Sequence, residues 1–374
     1  MFSFILSTPL ILVATALSVF VATYLLLPKI RTTALKFNIV ESPNSRSSHT
    51  SMIPTFGGIA FYVSYIISLF FSQTLDNHHI SLTLLVAISI LFFTGLLDDI
   101  KNISPKLKFL GQFIAVSVLM VHPDFRILSF HGFMGVNEIP IYLSVAGSMF
   151  FLLGLINAFN LIDGIDGLSG ITGVIIASFY SFMFYKLGYF FYLSISLSVI
   201  AMLLAFLRFN FSKSMKIFMG DTGSLVIGLV LGLLTLKIMS QGVEVYSALS
   251  FNSTQLPLFL LGVLFVPIFD TLRVMLLRII RGVSIFQADK NHIHHILIDF
   301  GYSHSKASVF IGFVNFMVAS TMFVVIRNFN SFQSAAILFM IFAMGMIVMF
   351  LMNKNLSAIR LKLKIKQVML RMFL

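Results

Sequence analysis

The sequence contains no cysteine and no tryptophan among its 374 residues, and only 10% of the residues are charged. The absence of cysteine excludes disulfide frameworks, Cys-ligated zinc sites and thiol nucleophiles. The absence of tryptophan leaves interfacial anchoring to the ten Tyr and to basic residues. Apolar residues are abundant, since 58% of the residues are hydrophobic and the mean hydropathy is +1.01. This composition lies outside the range of soluble globular domains and predicts a polytopic membrane protein.

Apolar runs of about 20 residues, the length that crosses a bilayer as a helix, recur along the whole chain. The predicted fold is all-α, and the first 28 residues, which carry no charge, fit an uncleaved first span. We predict a single integral-membrane domain over residues 1–352 and a basic cytoplasmic tail over residues 353–374. The apolar runs predict about eleven transmembrane helices, near residues 4–27, 56–73, 80–97, 107–121, 140–158, 168–185, 187–207, 223–241, 254–277, 307–326 and 333–352.

The charged residues predict an orientation for these spans. With the N-terminus outside and the C-terminus in the cytoplasm, 21 of the 25 Lys and Arg fall on the inner side, as the positive-inside rule requires. Nine of the 13 Asp and Glu fall on that same side, which predicts a cytoplasmic site built from several loops. A net charge of +12 could also indicate nucleic acid. The basic residues are scattered between apolar spans, however, so no nucleic-acid partner is expected.

One stretch, N-A-F-N-L-I-D-G-I-D-G-L-S-G at residues 157–170, places two amides and two carboxylates three residues apart between apolar spans. Polar side chains at a membrane boundary need partners, and they usually mark function. On a regular helix each step of three residues lags by about 60°, so the row cannot face one point unless the helix breaks. The glycines in this stretch predict such a break. Interhelical amide bonds are the alternative reading for one or two of these groups. The four polar residues are Asn157, Asn160, Asp163 and Asp166.

Adjacent carboxylates, Asp98 and Asp99, end the third predicted span. Two neighbouring acids repel each other unless a cation intervenes, and a hard divalent cation such as Mg²⁺ is the usual solution. The motif F-M-G-D-T-G-S opens the eighth span, with Phe218 and Asp221 at a helix N-terminus. A solvated helix end for the acid pair and an ordinary N-cap for Asp221 remain the alternatives.

Two inner loops carry groups suited to phosphate. Residues 288–295 read A-D-K-N-H-I-H-H, and residues 46–58 read R-S-S-H-T-S-M-I-P-T-F-G-G. Clustered histidines can bind a transition metal, but contact with phosphate oxygens and proton handling fit this loop better. A solvated loop is the alternative. Acids for a divalent metal and cations for phosphates, on one face of a membrane scaffold, predict transfer of a phosphorylated group to a lipid.

These five motifs, in this order over residues 46–295, resemble those of the polyprenyl-phosphate N-acetylhexosamine-1-phosphate transferases, glycosyltransferase family 4. The H-I-H-H motif is similar to the WecA and TagO branch more than to the MraY branch. The family transfers a sugar 1-phosphate from a UDP-sugar to undecaprenyl phosphate, releasing UMP, with Mg²⁺. The resemblance therefore implies a UDP-N-acetylhexosamine, undecaprenyl phosphate and membrane lipids as partners, and Mg²⁺, or alternatively Mn²⁺, as cofactor.

The resemblance also implies a setting, a multi-pass protein of the bacterial inner (plasma) membrane with a cytoplasmic active site. GlcNAc 1-phosphate is the first choice for the transferred group, at the start of O-antigen, teichoic acid or similar envelope polysaccharide synthesis. UDP-GalNAc, UDP-FucNAc and UDP-MurNAc-pentapeptide are alternative donors, and a homodimer is an open alternative to a monomer. A membrane transporter is the alternative class, because intramembrane acids also occur there.

The resemblance assigns roles residue by residue. The catalytic residues are Asp98, Asp99, Asp221 and His292, with Asp221 and Asp98 as metal ligands. The substrate-binding residues are Asn157, Asn160, Asp163, Asp166, Phe218, His294, His295, Arg46, His49 and Lys108. Two departures stand out. Ser47 and Ser48 separate Arg46 from His49 where the family often has Arg-Lys before the His, and Asn210 precedes its motif with one extra residue.

Overall fold

A computed structural model describes residues 7–37, 53–75, 78–242, 249, 252–284 and 291–372. Within these ranges the chain is almost entirely helical, as predicted. A short antiparallel hairpin of β1 (Ser129–Phe133) and β2 (Val136–Glu138) lies between the fourth and fifth helices. The helices are α1 (Thr8–Lys36), α2 (Gly57–Ser72), α3 (His78–Lys101), α4 (Pro105–Leu119), α5 (Ile141–Ile162), α6 (Leu168–Leu187), α7 (Phe190–Asn210), α8 (Gly220–Met239), α9 (Leu256–Val263), α10 (Phe265–Ile280), α11 (Ile293–Asp299), α12 (His304–Asn328) and α13 (Ser331–Met372).

Each predicted span coincides with a helix or, for residues 254–277, with the pair α9 and α10. Within the described ranges eight helices are long and apolar enough to cross a membrane, and the α9–α10 pair, bent by 73°, would be a ninth. The two remaining predicted spans coincide with α2 and α4, which have 16 and 15 residues. The polytopic helical architecture is therefore confirmed, whereas the count of eleven and the orientation of the termini stay predictions.

The break between α9 and α10 was not predicted, although its cause can be read in the sequence. Pro267 lies in the first turn of α10, and a proline ring in a helix interior clashes with the carbonyl four residues earlier. That carbonyl belongs to Val263, the last residue of α9. Because a continuous helix would force this clash, α9 ends at Val263 and the chain turns before α10 begins.

The helix α8 forms the centre of the bundle. Its membrane window is 100% buried, whereas that of α13 is 6% buried. A helix that is apolar on all sides can face either other helices or lipid, and α8 faces other helices, because it packs against α2, α3 and α5. Two glycines allow the close approach of α5, since a Cβ at Gly228 would lie 2.9 Å from Ile156 Cα and one at Gly232 would lie 2.7 Å from a Leu152 methyl carbon. This Gly-x-x-x-Gly spacing is typical of packed membrane helices.

The predicted break in residues 157–170 is confirmed. The helix α5 ends at Ile162 and α6 begins at Leu168, with Gly167 at φ +80° as the N-cap residue. Only glycine adopts this conformation at low cost. The loop between the two helices lies at the same end of the bundle as the last turn of α3 and the first turns of α4 and α8, because these helices alternate in direction along the chain.

Candidate active site

A lysine at the start of α4 gathers three oxygen-bearing side chains from three other helices. Lys108 Nζ lies 3.0 Å from Asp98 Oδ2, 2.6 Å from Asp221 Oδ2 and 3.2 Å from Asn160 Oδ1. The Asn160 amide nitrogen also donates to Asp221 Oδ1 and, at 2.9 Å, to Ser224 Oγ. Two carboxylates thus share one ammonium, which resolves the repulsion expected of acids brought this close. We refer to Asp98, Lys108, Asn160 and Asp221 as the lysine cluster.

Asp99, the neighbour of Asp98, has a different set of partners. Its Oδ1 accepts the backbone N–H of Asp221 at 2.9 Å, and its Oδ2 accepts the backbone N–H of Thr222 at 3.0 Å and the Thr222 hydroxyl at 2.5 Å. The first turn of a helix has backbone N–H groups without intrahelical partners, and a carboxylate there also interacts favourably with the helix dipole. Asp99 of α3 therefore caps α8, and by doing so it fixes Asp221 relative to Asp98.

Asn157 lies one turn before Asn160 on α5 and has a structural partner. Its amide pairs reciprocally with that of Gln112, with Nδ2 donating to Gln112 Oε1 at 2.8 Å and Gln112 Nε2 donating to Asn157 Oδ1 at 3.2 Å. Asn157 Nδ2 also donates to the Leu153 carbonyl at 2.7 Å. Here the interhelical amide bond that the sequence left open as an alternative is present, and it joins α4 to α5.

The two acids of the α5–α6 loop, Asp163 and Asp166, contact different side chains. Asp163 Oδ1 accepts the Ser169 hydroxyl at 2.5 Å. Asp166 is buried, and its Oδ2 accepts Lys216 Nζ at 2.5 Å. Lys216 in turn lies 5.8 Å from the centre of the Phe218 ring. The loop before α8 is thereby joined to the loop before α6.

Two further residues, His304 and Asn210, contact the α5–α6 loop. The Nδ1 atom of His304, at the start of α12, lies 3.5 Å from Asp166 Oδ2. Asn210, whose assignment rested on a motif with an extra residue, is buried and accepts the Gly167 N–H at 2.6 Å while donating to the Ile217 carbonyl at 3.0 Å. Its amide therefore bridges the two loops that carry Asp166 and Phe218.

The histidine motif begins α11. His292 is its N-cap residue and places Nδ1 2.8 Å from Asp270 Oδ2. The ring of His294 lies 5.8 Å from that of His292 and 4.3 Å from that of His295. Burial lowers the pKa of His294 to about 3, so this imidazole is neutral at neutral pH. His294 also packs on the α5–α6 loop, where a Cβ at Gly164 would lie 2.5 Å from its Nε2.

The family described as Glycosyl transferase family 4 matches residues 81–239. A Bacillus subtilis (strain 168) protein named "Probable undecaprenyl-phosphate N-acetylglucosaminyl 1-phosphate transferase" is 31% identical over 315 residues, which cover 84% of this chain and 84% of the relative. The chain belongs to glycosyl transferase family 4.

Other family 4 members are similar over a comparable length. The Mycobacterium tuberculosis (strain ATCC 25618 / H37Rv) protein named "Decaprenyl-phosphate N-acetylglucosaminephosphotransferase" is 30% identical over 357 residues, covering 85% of this chain and 83% of the relative. A Salmonella typhi protein named "Undecaprenyl-phosphate alpha-N-acetylglucosaminyl 1-phosphate transferase" is 28% identical over 301 residues, 79% of this chain and 78% of the relative. The predicted family is confirmed, and the matched segment includes the whole lysine cluster.

The resemblance to family 4 implies Mg²⁺, and the chemistry of the lysine cluster fits that ion. Among the described residues no group of three His, Cys, Asp or Glu side chains is arranged to hold a metal. The oxygens of Asp98, Asp221 and Asn160 nevertheless converge on one positive charge within 3.2 Å. Carboxylate and amide oxygens are the ligands that Mg²⁺ prefers, usually with several waters and substrate phosphates. The assignment of Mg²⁺ to Asp221 and Asp98 stays a prediction.

Not every predicted family 4 site residue can be located, and some supporting residues were not predicted. Arg46 and His49 lie outside the described residues. Three residues, Lys216, Asp270 and His304, contact predicted site residues, and Arg273 contacts Asp270. None of the four was assigned to the site from the sequence. Asp270 and Arg273 could have been found, because charged residues inside an apolar span usually mark function. Lys216 gave no comparable signal, since isolated Lys and Arg in inner loops also arise from the positive-inside rule. His304 is a single histidine outside the five motifs.

Proposed function

We propose that the protein transfers N-acetylglucosamine 1-phosphate from UDP-GlcNAc to undecaprenyl phosphate, giving undecaprenyl-diphospho-GlcNAc and UMP. The observation that carries this proposal is the convergence of Asp98, Lys108, Asn160 and Asp221 at one end of the bundle. The names of its family 4 relatives, which act on N-acetylglucosaminyl 1-phosphate and undecaprenyl or decaprenyl phosphate, support the transferred group and the lipid acceptor. The product would begin an envelope polysaccharide such as O-antigen or teichoic acid.

The proposal puts this site at the cytoplasmic face of the bacterial inner membrane. Support comes from the basic residues, of which 21 of 25 fall on one side of the predicted spans. The lysine cluster lies at helix ends rather than at the middle of a span, so a water-soluble nucleotide sugar and the phosphate of a lipid can meet there. The prenyl chain can remain among the apolar helices while its phosphate reacts.

In the proposed reaction an oxygen of the acceptor phosphate attacks the β-phosphorus of the UDP-sugar. The bond from that phosphorus to the bridging oxygen breaks, and UMP leaves with the bridging oxygen. A bound Mg²⁺ would neutralise charge on the diphosphate. Of the two adjacent acids, Asp98 is the one suited to assist the acceptor phosphate, because both oxygens of Asp99 are engaged by α8. Lys108, beside Asp98, would bind phosphate oxygens.

Several of the predicted substrate-binding residues form the donor side of this proposal. Asp166 and Phe218 would meet the uracil, Asn160 and Asp163 would line the nucleotide-sugar pocket, and the histidine loop would meet the diphosphate or the sugar. The donor is the least fixed part of the proposal, because UDP-GalNAc, UDP-FucNAc and UDP-MurNAc-pentapeptide present the same UDP group. A covalent route through an aspartyl sugar phosphate is the alternative to direct attack, and mass spectrometry of the enzyme mixed with donor alone distinguishes the two.

The test is UMP release from purified protein in detergent with undecaprenyl phosphate, Mg²⁺ and each UDP-N-acetylhexosamine in turn. We expect UMP with UDP-GlcNAc, and loss of UMP release on chelation with EDTA that is reversed by Mg²⁺. The Asp221→Asn variant should lose turnover while it elutes as a folded monodisperse species. No UMP release with any donor, in conditions where a known family 4 relative is active, would contradict the proposal.

A further inference from the structure

A carboxylate near the start of α10 is buried together with two side chains that it contacts. Asp270 is 2% exposed, Arg273 is 1% exposed and His292 is 5% exposed. Arg273 lies one turn after Asp270 on α10, whereas His292 begins α11. A buried charge is costly unless it is paired and hydrogen-bonded, so the contacts of Asp270 indicate what this carboxylate holds in place.

Both oxygens of Asp270 are used at the beginning of α11. Oδ2 lies 2.8 Å from His292 Nδ1. Oδ1 accepts the backbone N–H of Ile293 at 3.0 Å and Arg273 Nη2 at 3.1 Å. The same Nη2 donates to the Asn291 carbonyl. One carboxylate thus caps the first turn of α11, fixes the ring of the N-cap histidine and has a counter-charge of its own.

This arrangement determines the tautomer of His292. An ionised carboxylate can only accept, so the ring must carry its hydrogen on Nδ1, and Nε2 is then the atom left for another partner. Carboxylates that hold a histidine in this way elsewhere fix both its tautomer and its orientation. Arg273 supplies the positive charge that balances Asp270, so the carboxylate does not depend on a protonated His292 for pairing.

We propose that Asp270 is a positioning residue that acts through His292, holding its ring so that Nε2 is presented to the diphosphate of the donor. This inference rests on the proposed function, because it needs His292 to contact the substrate. The contacts of Asp270 are with Arg273, His292 and the backbone N–H of Ile293. The role predicted here is therefore distinct from that of the lysine cluster, which lies on other helices.

The test is a double-mutant cycle on UMP release with Asp270→Asn, His292→Gln and the double variant. Asn can still accept the Ile293 N–H and Arg273 Nη2 through Oδ1. The first variant therefore changes the hydrogen bonding only at the end of the side chain that faces His292, although it also removes the charge that balances Arg273. We expect Asp270→Asn to lower kcat by 10-fold to 100-fold, an order of magnitude typical of a lost supporting contact, with a change in KM for UDP-GlcNAc of less than about 3-fold. In the His292→Gln background the same change should alter kcat by less than about 2-fold, because the residue through which it acts is gone.

The matched control is Asp299→Asn, an equal change at the exposed other end of α11, which should leave kcat unchanged. Size-exclusion elution and the thermal midpoint of each variant show whether it folds, separately from its turnover. If Asp270→Asn folds poorly, Asp270→Glu takes its place as the test, and because Glu keeps a carboxylate it should retain more activity than Asn. An equal loss from Asp270→Asn with and without His292, or no loss in either, would overturn the inference while wild-type UMP release still supports the proposed function. An inactive wild type would instead reject the proposed function.

Discussion

Asp98 and Asp99 are neighbours in the chain, yet the fold gives them different partners. The sequence predicted that the pair belongs to the site, but it did not distinguish their roles. A carboxylate that pairs with a cation and a carboxylate that caps a helix N-terminus are the same residue type, Asp. The division depends on where α8 begins relative to the last turn of α3. Asp98 meets Lys108, whereas Asp99 meets the backbone of Asp221 and Thr222.

We therefore expect Asp99→Ala and Asp98→Ala to differ in stability. Loss of Asp99 leaves two backbone N–H groups and a hydroxyl at the start of α8 without their acceptor, which should cost about 1–3 kcal/mol. Loss of Asp98 should abolish UMP release with a smaller effect on stability. Heating followed by size-exclusion chromatography measures the difference without tryptophan or cysteine reporters. Equal thermal midpoints for the two variants would contradict the capping role of Asp99.

The pKa of His294 predicts a pH dependence of stability. Burial lowers this pKa from 6.5 to about 3, with the neighbouring His295 as the next contribution. The unfolded chain therefore binds a proton below about pH 6.5 that the native state does not bind until near pH 3, so this histidine destabilises the fold as the pH falls. The thermal midpoint of His294→Gln should fall less between pH 7.5 and pH 5 than that of the wild type. Parallel pH curves for the two proteins would refute this assignment.

The helix α8 has a charged group at each end, and only one of them belongs to the site. Asp221 lies in its first turn, and Lys237 lies in its last turn, about 24 Å away along the axis. Lys237 Nζ lies 2.8 Å from Asp124 Oδ2 and 5.0 Å from the ring centres of both Tyr189 and Tyr192. The Tyr192 hydroxyl donates to the same Asp124 oxygen at 2.8 Å. These contacts fix the end of α8 opposite the site.

Replacing Lys237 with Met should therefore lower stability and leave turnover per folded molecule unchanged. Removing one partner of a buried pair costs about 3–5 kcal/mol, and we expect about 2 kcal/mol here because the Asp124 side chain keeps 24% of its exposure. The double variant Lys237→Met with Asp124→Asn should recover part of the loss, since no unpaired carboxylate remains. A loss of kcat in folded Lys237→Met protein would show that this end of α8 is coupled to the site.

At the scale of the elements the sequence predicted most helices and the break between α5 and α6, but not the bend between α9 and α10 or the β1–β2 hairpin. Apolar runs indicate where helices lie, because a bilayer requires about 20 apolar residues whatever their order. The bend before α10 depends on one residue, Pro267, inside such a run. The β1–β2 hairpin depends on a two-residue turn with positive φ at Met134 and Gly135, a geometry that matches the twist of paired strands. Each feature is set by one or two positions, which the composition of the surrounding segment does not reveal.

In the assembled bundle, α3 packs directly against the first turn of α8. A Cβ at Gly95 would lie 2.6 Å from both the Cα and the backbone nitrogen of Thr222, closer than real side chains approach backbone atoms. The helices can be this close only because position 95 has no side chain. Since Asp98 and Asp99 lie within the next turn of α3, this contact sets their distance from Asp221.

Gly95→Ala should therefore damage both stability and turnover. The added methyl group would separate α3 from α8, at a cost of about 1–3 kcal/mol, and would displace the Asp98 carboxylate from Lys108 and Asp221. We expect UMP release to fall more than about 10-fold. The control is Gly154→Ala on α5, where a Cβ would have nothing within 4 Å and where alanine should be neutral or slightly stabilising. Wild-type turnover in Gly95→Ala would show that the helices can separate without cost to the site.

The sequence predicted that the site residues share one end of the molecule, but not which of them touch. Charge sidedness and alternating spans place the ends of α3 and α5 and the starts of α4 and α8 together. The pairing of Lys108 with Asp221 joins residues 113 apart, and that of His292 with Asp270 joins residues 22 apart across a helix break. Such pairings depend on how each helix is rotated about its axis and on its position along the bundle. Neither can be read from a span whose apolar residues are mostly interchangeable.

The cap that Asp99 provides has a consequence for synthesis of the protein. Asp99 is synthesised 122 residues before Asp221, so the two adjacent carboxylates are present before α8 is made. These carboxylates do not need α8 at that stage, because they lie at the end of α3, where water can solvate them. A chain that terminates before α8 would lack the central helix of the bundle, the N–H donors that Asp99 caps and the Asp221 carboxylate, so a partly synthesised protein has neither the finished fold nor the complete site.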